Sequence, residues 1–109
     1  DTMGHVRGDG VLIDTARILS ASIREVDLVA RWGGEEFLVL APATSAEDAE
    51  LLAERVRRAV ETESRDPNVT VSIGLASWTA GDTLADLVQR ADTALYAAKD
   101  SGRNTVRSA

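Results

Sequence analysis

The sequence predicts an α+β fold, in which helices flank a central sheet that contains an antiparallel pair. Three long segments carry apolar side chains at helical spacing, and the short segments between and after them are strongly apolar or β-branched. Their order is helix, two strands, helix, strand, helix and strand, which is typical of helices packed on a sheet. With 109 residues, the chain is long enough for one domain with one modest core.

The first half of the chain is expected to form a helix and a hairpin. Residues 1–10 are rich in glycine and predict turns, and helical periodicity then extends from Val11 to about Arg24. Two short apolar segments follow, 28–30 and 37–41, with a glycine pair between them. This pattern predicts two antiparallel strands joined by a tight turn.

The second half is expected to alternate helices with strands. A helix capped by Thr44 or Ser45 should run to about Glu63, since acidic residues fill its first turn. The later predicted elements, each bounded by a turn signal, are a strand (69–77), a helix that starts at 81–83 and runs to about 100, and a last short strand (104–107).

Composition and charge exclude several classes of function. A formal net charge of −6 argues against binding to a nucleic-acid backbone. No apolar run approaches the roughly 20 residues that a membrane-spanning helix needs. The chain has no cysteine, so it has no disulfide and no thiolate site, and it fits a reducing compartment. A small anionic ligand stays compatible, because its site needs only a few local cations or backbone N–H groups.

The hairpin turn is the first place where chemistry could occur. Gly33 and Gly34 would let a ligand approach the backbone closely, because no Cβ stands in the way. Glu35 and Glu36 repel each other unless a cation lies near them, and divalent cations prefer carboxylate oxygens. From the pattern alone, a solvated hairpin with solubilising glutamates is the favoured interpretation.

Three other clusters allow a functional and a structural interpretation. Asp9 could accept two hydrogen bonds from guanine, or it could cap the first helix. Lys99, the only lysine beside eleven arginines, could clamp phosphates together with Arg103, or both could offset the dipole of the third helix. Arg24 and Asp27 lie at a helix-to-strand junction and could form a local ion pair of small energetic worth.

The order and spacing of these clusters resemble the GGDEF domain, the diguanylate cyclase family. Residues 33–37 are the GGEEF form of its signature, and D-x-x-G-H-x-x-G-D precedes it at residues 1–9. V-S-I-G at 71–74 and A-D-x-A-L-Y-x-A-K-x-x-G-R-N at 91–104 complete a resemblance that covers essentially the whole chain, 1–109. It implies a fold similar to nucleotidyl cyclases and polymerase palm domains.

The resemblance implies a reaction and roles for the clusters. Two GTP molecules, one on each subunit of a homodimer, would condense to cyclic di-GMP and two pyrophosphates. Glu35 and Glu36 would be catalytic and bind Mg²⁺ or Mn²⁺. The residues implied to bind substrate are Asp9 at the guanine, Gly33 and Gly34 near the phosphates, and Lys99 and Arg103 at the phosphates.

A regulatory site is also implied. Arg24 and Asp27 stand where the family has its RxxD motif, at a fixed distance before the signature, and Arg55 matches a further arginine of that site. These residues would bind cyclic di-GMP and give product inhibition. The implied location is cytoplasmic, without nucleic-acid or membrane contact by this domain, whether or not the parent protein carries a membrane anchor.

The resemblance further implies that part of the family's domain precedes Asp1. Family members begin with a strand that carries a metal-binding aspartate, followed by an asparagine that reads guanine. Neither these nor a sensory domain are among the 109 residues, so these residues alone are expected to be inactive. The alternatives are an inactive GGDEF module that binds GTP or cyclic di-GMP as a sensor, and a structural or dimerisation role.

Overall fold

The computed structural model describes residues 5–32 and 34–109, with side chains from residue 10 onward, and it confirms the α+β class. The elements in chain order are α1 (His5–Ser22), β1 (Leu28–Arg31), β2 (Phe37–Leu40), α2 (Ala46–Glu63), β3 (Ile73–Leu75), α3 (Leu84–Asp100) and β4 (Val106–Ser108). No helix in this part of the chain is both long enough and apolar enough to cross a membrane.

Helix α1 begins earlier than the sequence predicts. The predicted loop up to residue 10 is wrong from His5 onward, because the helix already starts there. Gly8 and Gly10 lie inside it and cost roughly 1 kcal/mol each relative to alanine. An 18-residue helix can tolerate this cost, because each residue added after nucleation contributes a further hydrogen bond. Asp9 is therefore a residue within the helix and not its N-cap; its side chain lies outside the part of the structure that is described.

The strands form two small sheets instead of one continuous sheet. β1 and β2 pair antiparallel, with Leu28 opposite Leu40, whereas β3 and β4 pair in parallel. β3 is shorter than the predicted 69–77, because only its three residues find partners in β4. The residues on either side of it line a cleft of about 1310 Å³ that separates β2 from β3.

Helices α2 and α3 begin where their capping residues predict. Ser45 accepts a hydrogen bond from the N–H of Asp48 at 3.1 Å. Thr83 accepts one from the N–H of Asp86 at 3.1 Å, and the Asp86 carboxylate accepts one from the N–H of Thr83 at 3.0 Å. This reciprocal pair is a capping box, which fixes the start of α3.

The core lies among the three helices and β3. Its buried apolar side chains are those of Ile18, Leu19, Ala53, Val56, Val60, Ala94 and Ala98. At Gly74 in β3, a Cβ would overlap the backbone of Ala91 and Leu95 in α3, so only glycine allows this close approach. The hairpin is outside the core, since all four residues of β1 are exposed.

Candidate active site

The cleft between the two sheets has two walls of different construction. We call β1 and β2 with their turn the hairpin wall, and β3, β4 and α3 the packed wall; β1 and β4 lie behind the strands that line the cleft. Apolar residues of β2 and α2, among them Leu38, Val56 and Val60, line the inner surface of the cleft. The cleft therefore has an apolar interior.

The tip of the hairpin wall is held by its own backbone and one arginine. The N–H of Trp32 donates to the carbonyl of Glu36 at 2.8 Å, and the guanidinium of Arg31 donates to the carbonyl of Gly34 at 3.1 and 2.7 Å. Gly34 has φ +26°, and no atom lies within 4 Å of the place where its Cβ would be. A ligand could therefore approach this backbone directly; Gly33 lies outside the described residues.

Acidic and basic side chains meet at the rim of the cleft. The carboxylate of Glu36 lies 3.6 Å from the ammonium of Lys99, and both side chains are about 40% exposed. Glu35 and Arg103 line the same cleft, and Arg103 has no ion-pair partner among the described residues. An exposed ion pair contributes at most about 1 kcal/mol, so a charged ligand could readily exchange with either partner.

The two glutamates supply the kind of oxygen donor that Mg²⁺ or Mn²⁺ requires. In residues 10–32 and 34–109, no three or more His, Cys, Asp or Glu side chains are grouped closely enough to hold a metal ion. Mg²⁺ commonly takes one or two carboxylates and completes its octahedral shell with water and phosphate oxygens. Glu35 and Glu36 thus fit a cation that is shared with a phosphate-containing ligand.

Arg24 and Asp27 form more than the small surface ion pair that the sequence suggested. The guanidinium of Arg24 donates to both carboxylate oxygens of Asp27 at 2.7–3.1 Å, and the N–H of Arg24 donates to the same carboxylate at 2.8 Å. The Asp27 side chain is fully buried. The guanidinium lowers the pKa of Asp27, mainly through these hydrogen bonds.

The same arginine ties this corner to the loop after β2. Arg24 also donates to the carbonyl of Pro42 at 3.2 Å and to the hydroxyl of Thr44 at 2.6 Å. Arg55 of α2 donates to the carbonyl of Ser22 at 2.6 Å and adds to the positive charge around Asp27. The predicted inhibitory residues therefore meet at one place, the Arg24–Asp27 corner, and none of them lines the cleft.

A polar cluster beside Arg103 was missed in the sequence. Arg57, whose side chain is only 15% exposed, donates to Glu54 at 2.8 and 2.6 Å and to Asn104 at 2.9 Å. Asn104 in turn donates to Glu61 at 2.7 Å. The hydrogen bonds from Arg57 lower the pKa of Glu54 to about 2. A glycine followed two residues later by asparagine after a helix is a signal for left-handed backbone, and it could have pointed to Asn104.

Comparison with known proteins identifies the family of this chain. Residues 1–105 match the family described as diguanylate cyclase, GGDEF domain. The chain is 46% identical over 111 residues to diguanylate cyclase DgcM of Escherichia coli strain K12. This match covers 100% of this chain and 27% of that protein. The chain spans less than a third of the length of the curated relatives that it matches first.

Solved structures show the same fold. The crystal structure of diguanylate cyclase SiaD from Pseudomonas aeruginosa, in complex with its activator SiaC, superposes with a TM-score of 0.88 at 44% identity, covering 100% of this chain and 44% of that one. The GGDEF domain of DgcB from Caulobacter crescentus, in complex with c-di-GMP, has the same TM-score at 34% identity, covering 99% of this chain and 68% of that one. The chain therefore belongs to the GGDEF domain family of diguanylate cyclases.

Proposed function

We propose that the rim of the cleft is one half of the active site of a diguanylate cyclase, which condenses two GTP molecules to cyclic di-GMP and two pyrophosphates. One observation carries this proposal: the glutamates of the GGEEF turn line the same cleft as Lys99 and Arg103, with 3.6 Å between the carboxylate of Glu36 and the ammonium of Lys99. A metal-bound triphosphate carries negative phosphates, which would bind the cations of this rim, and a positive metal ion, which would bind its carboxylates.

Lys99 and Arg103 bind the phosphates in this proposal. A triphosphate that takes the place of Glu36 beside Lys99 would free the Glu36 carboxylate for the cation. Gly33 and Gly34 let the phosphates lie against the turn, and Asp9 accepts hydrogen bonds from guanine. Cations fixed beside the reacting phosphate stabilise the charge that develops on it, without rearrangement during the reaction.

The reaction consists of two equivalent transfers. In each, the 3′-hydroxyl oxygen of one nucleotide forms a bond to the α-phosphorus of the other, the bond from that phosphorus to pyrophosphate breaks, and the hydroxyl proton is released. Mg²⁺ or Mn²⁺, when bound, neutralises phosphate charge beside Glu35 and Glu36. Because one rim presents one nucleotide, two subunits must face each other as a homodimer.

Family members begin with a strand that would fit between β2 and β3. β2 and β3 border the cleft without pairing to each other, so their facing edges are available to another strand. A strand there would join the two sheets and bring its aspartate near Glu35. The whole protein, acting in the cytoplasm where GTP is available, is expected to catalyse the reaction.

Cyclic di-GMP would also inhibit the enzyme, at a second site. Arg24, Asp27 and Arg55 form the corner where cyclic di-GMP would bind. Arg24 also holds Pro42 and Thr44, so its removal would disturb the fold as well. Arg55→Ala is the cleaner probe, because the Arg55 side chain makes one hydrogen bond within the described part of the chain, to the carbonyl of Ser22.

The inhibition test follows initial rates at increasing cyclic di-GMP. Arg55→Ala should raise the half-inhibitory concentration about tenfold, since a hydrogen bond to a charged group is worth about 1.5–3 kcal/mol. Arg58→Ala on the same helix serves as the matched control, because the side-chain partner of Arg58 among the described residues is Glu54, which is not part of the corner. An inhibition curve that Arg55→Ala leaves unchanged would remove Arg55 from the regulatory site.

The test of the activity uses the whole protein with GTP and Mg²⁺. Glu35→Gln should lower the formation of cyclic di-GMP and pyrophosphate by at least about 100-fold while the melting temperature stays the same, since Glu35 is exposed at the turn. Glu63→Gln, at the end of α2 and outside the cleft, is the control. Removal of the metal with a chelator should stop product formation in every variant.

The same assay distinguishes the sensor alternative. Turnover that survives Glu35→Gln would contradict the role of the turn. A wild-type protein that binds GTP or cyclic di-GMP but forms no product would support an inactive binding module instead.

A further inference from the structure

Arg103 lies in an unusual stretch of backbone at the end of α3. Gly102, Arg103 and Asn104 have φ values of +117°, +64° and +47°, three left-handed residues in a row. The N–H of Arg103 donates to the carbonyl of Ala98 at 3.1 Å, and that of Gly102 to the carbonyl of Lys99 at 3.4 Å, the two bonds of a Schellman motif. A left-handed arginine is unfavourable on its own, so the surrounding structure must hold it.

Asn104 is fixed by three hydrogen bonds from outside this turn. Its side-chain oxygen accepts from Arg57 at 2.9 Å, and its side-chain nitrogen donates to Glu61 at 2.7 Å. Its backbone N–H donates to the hydroxyl of Ser72 at 3.1 Å. The residue that follows Arg103 is therefore anchored both to α2 and to the segment just before β3.

The anchor on α2 is rigid. Arg57 is 15% exposed and donates to both carboxylate oxygens of Glu54, so its planar guanidinium has one orientation when it reaches Asn104. The Arg103 side chain, in contrast, has no hydrogen-bond or ion-pair partner among the described residues and lies at the rim of the cleft. Its direction is set by its backbone and not by contacts of its own.

We infer that Asn104, anchored by Arg57 and Glu61, is a positioning residue that aims Arg103 at the phosphates of the bound nucleotide. Asn104 does not line the cleft and touches no substrate in this account. The inference rests on the proposed function, in which Arg103 binds phosphate. Asparagine suits the role, because it tolerates left-handed backbone and offers both a donor and an acceptor.

A double-mutant cycle tests the inference, with binding of a non-hydrolysable GTP analogue and Mg²⁺ to the whole protein as the readout. Asn104→Gly keeps a left-handed backbone without strain and removes both side-chain anchors. It should weaken binding about tenfold when Arg103 is present, and less than about twofold in the Arg103→Ala background. Asn68→Gly, the same change in an exposed turn outside the cleft, should leave binding unchanged.

Each result other than coupling through Arg103 contradicts the inference. Equal weakening in both backgrounds, or a lower melting temperature with unchanged affinity, would make Asn104 a purely structural residue. If Arg103→Ala weakens binding but Asn104→Gly does not, the positioning role falls while the proposed function stands. If Arg103→Ala itself leaves the affinity unchanged, the phosphate contact fails, and the positioning role with it.

Discussion

The hairpin wall and the packed wall of the cleft differ in what holds them. β1 is exposed along its whole length, and the tip of the hairpin is held by its own turn and by Arg31. β3 instead packs against α3 through Gly74, and Arg90 locks the loop between them by two hydrogen bonds to Asp82 at 2.8 and 2.9 Å. The two walls should therefore differ in local stability.

The positive and the negative side chains at the rim of the cleft lie on different walls. The cations, Lys99 and Arg103, lie at the end of α3 and just after it, where helix packing and the hydrogen bonds of Asn104 hold the backbone. The carboxylates, Glu35 and Glu36, belong to the weakly held turn. A fixed set of cations can select and orient a triphosphate, and a compliant acidic turn can then adjust to the metal that the triphosphate brings.

The largest expected effect compares one glycine from each wall. Gly74→Ala should abolish cooperative folding, because its Cβ would overlap the backbone of α3. Gly34→Ala should lower the melting temperature by only about 5 °C, because its surroundings are open and only the positive φ is unfavourable. Thermal unfolding of both variants by circular dichroism gives the answer, and similar melting temperatures would contradict the contrast between the walls.

The next comparison concerns the base and the tip of the hairpin. Asp27→Ala should lower the melting temperature by about 10 °C, because it removes a buried carboxylate that holds Arg24 by its side chain and backbone. Glu36→Ala should change it by no more than about 3 °C, since its ion pair with Lys99 is exposed. Calorimetry of both proteins measures the difference, with Asp27→Asn expected to lie between them. A larger loss from Glu36→Ala would reverse this view of the hairpin.

A smaller effect should appear in acid. The pKa of Glu54 is lowered from 4.5 to about 2 by its hydrogen bonds with Arg57, and the pKa values of Asp14, Asp27 and Asp82 are also lowered. A carboxylate with a lower pKa in the folded state stabilises the fold above its ordinary pKa, and this contribution is lost as the pH falls toward the folded value. The free energy of unfolding should therefore decline from pH 4.5 downward.

Urea unfolding across this pH range measures the decline, and one variant assigns part of it. Glu54→Gln removes the titrating group while keeping an acceptor for Arg57, so its unfolding free energy should depend less steeply on pH than that of the wild type. If the two pH profiles run parallel, Glu54 does not contribute to acid sensitivity.

Much of this fold could be predicted because the signals are local. Apolar periodicity gave the three helices, the glycine pair gave the hairpin, and the hydrogen-bonding side chains of Ser45 and Thr83 gave two helix starts. The start of α1 was missed because Gly8 and Gly10 are typical of turns, whereas a helix can continue through them. The extent of β3 depends on where β4 lies, which no local pattern contains.

The candidate site likewise contains residues that the sequence predicts and contacts that only the fold reveals. Glu36 and Lys99 were predicted as site residues through the family motif. The structure brings them together, a contact that could not be inferred from their separation in the sequence. The links from Arg24 to Thr44 and from Arg57 to Asn104 join residues 20 and 47 positions apart, so they emerge only from the packing of the elements. Arg57 in particular resembles a solvated residue on a highly charged helix until its partners are known.

The packed wall of the cleft should be rigid and the hairpin wall flexible, and a bound nucleotide should connect the two. Hydrogen exchange of backbone amides tests this contrast most directly. In the whole protein without nucleotide, amides of 28–40 should exchange faster than those of β3 and α3. A non-hydrolysable GTP analogue with Mg²⁺ should slow the hairpin amides by at least about tenfold and leave those of β3 nearly unchanged. Hairpin amides that are as protected as β3 before nucleotide is added, or that the nucleotide does not slow, would contradict the account.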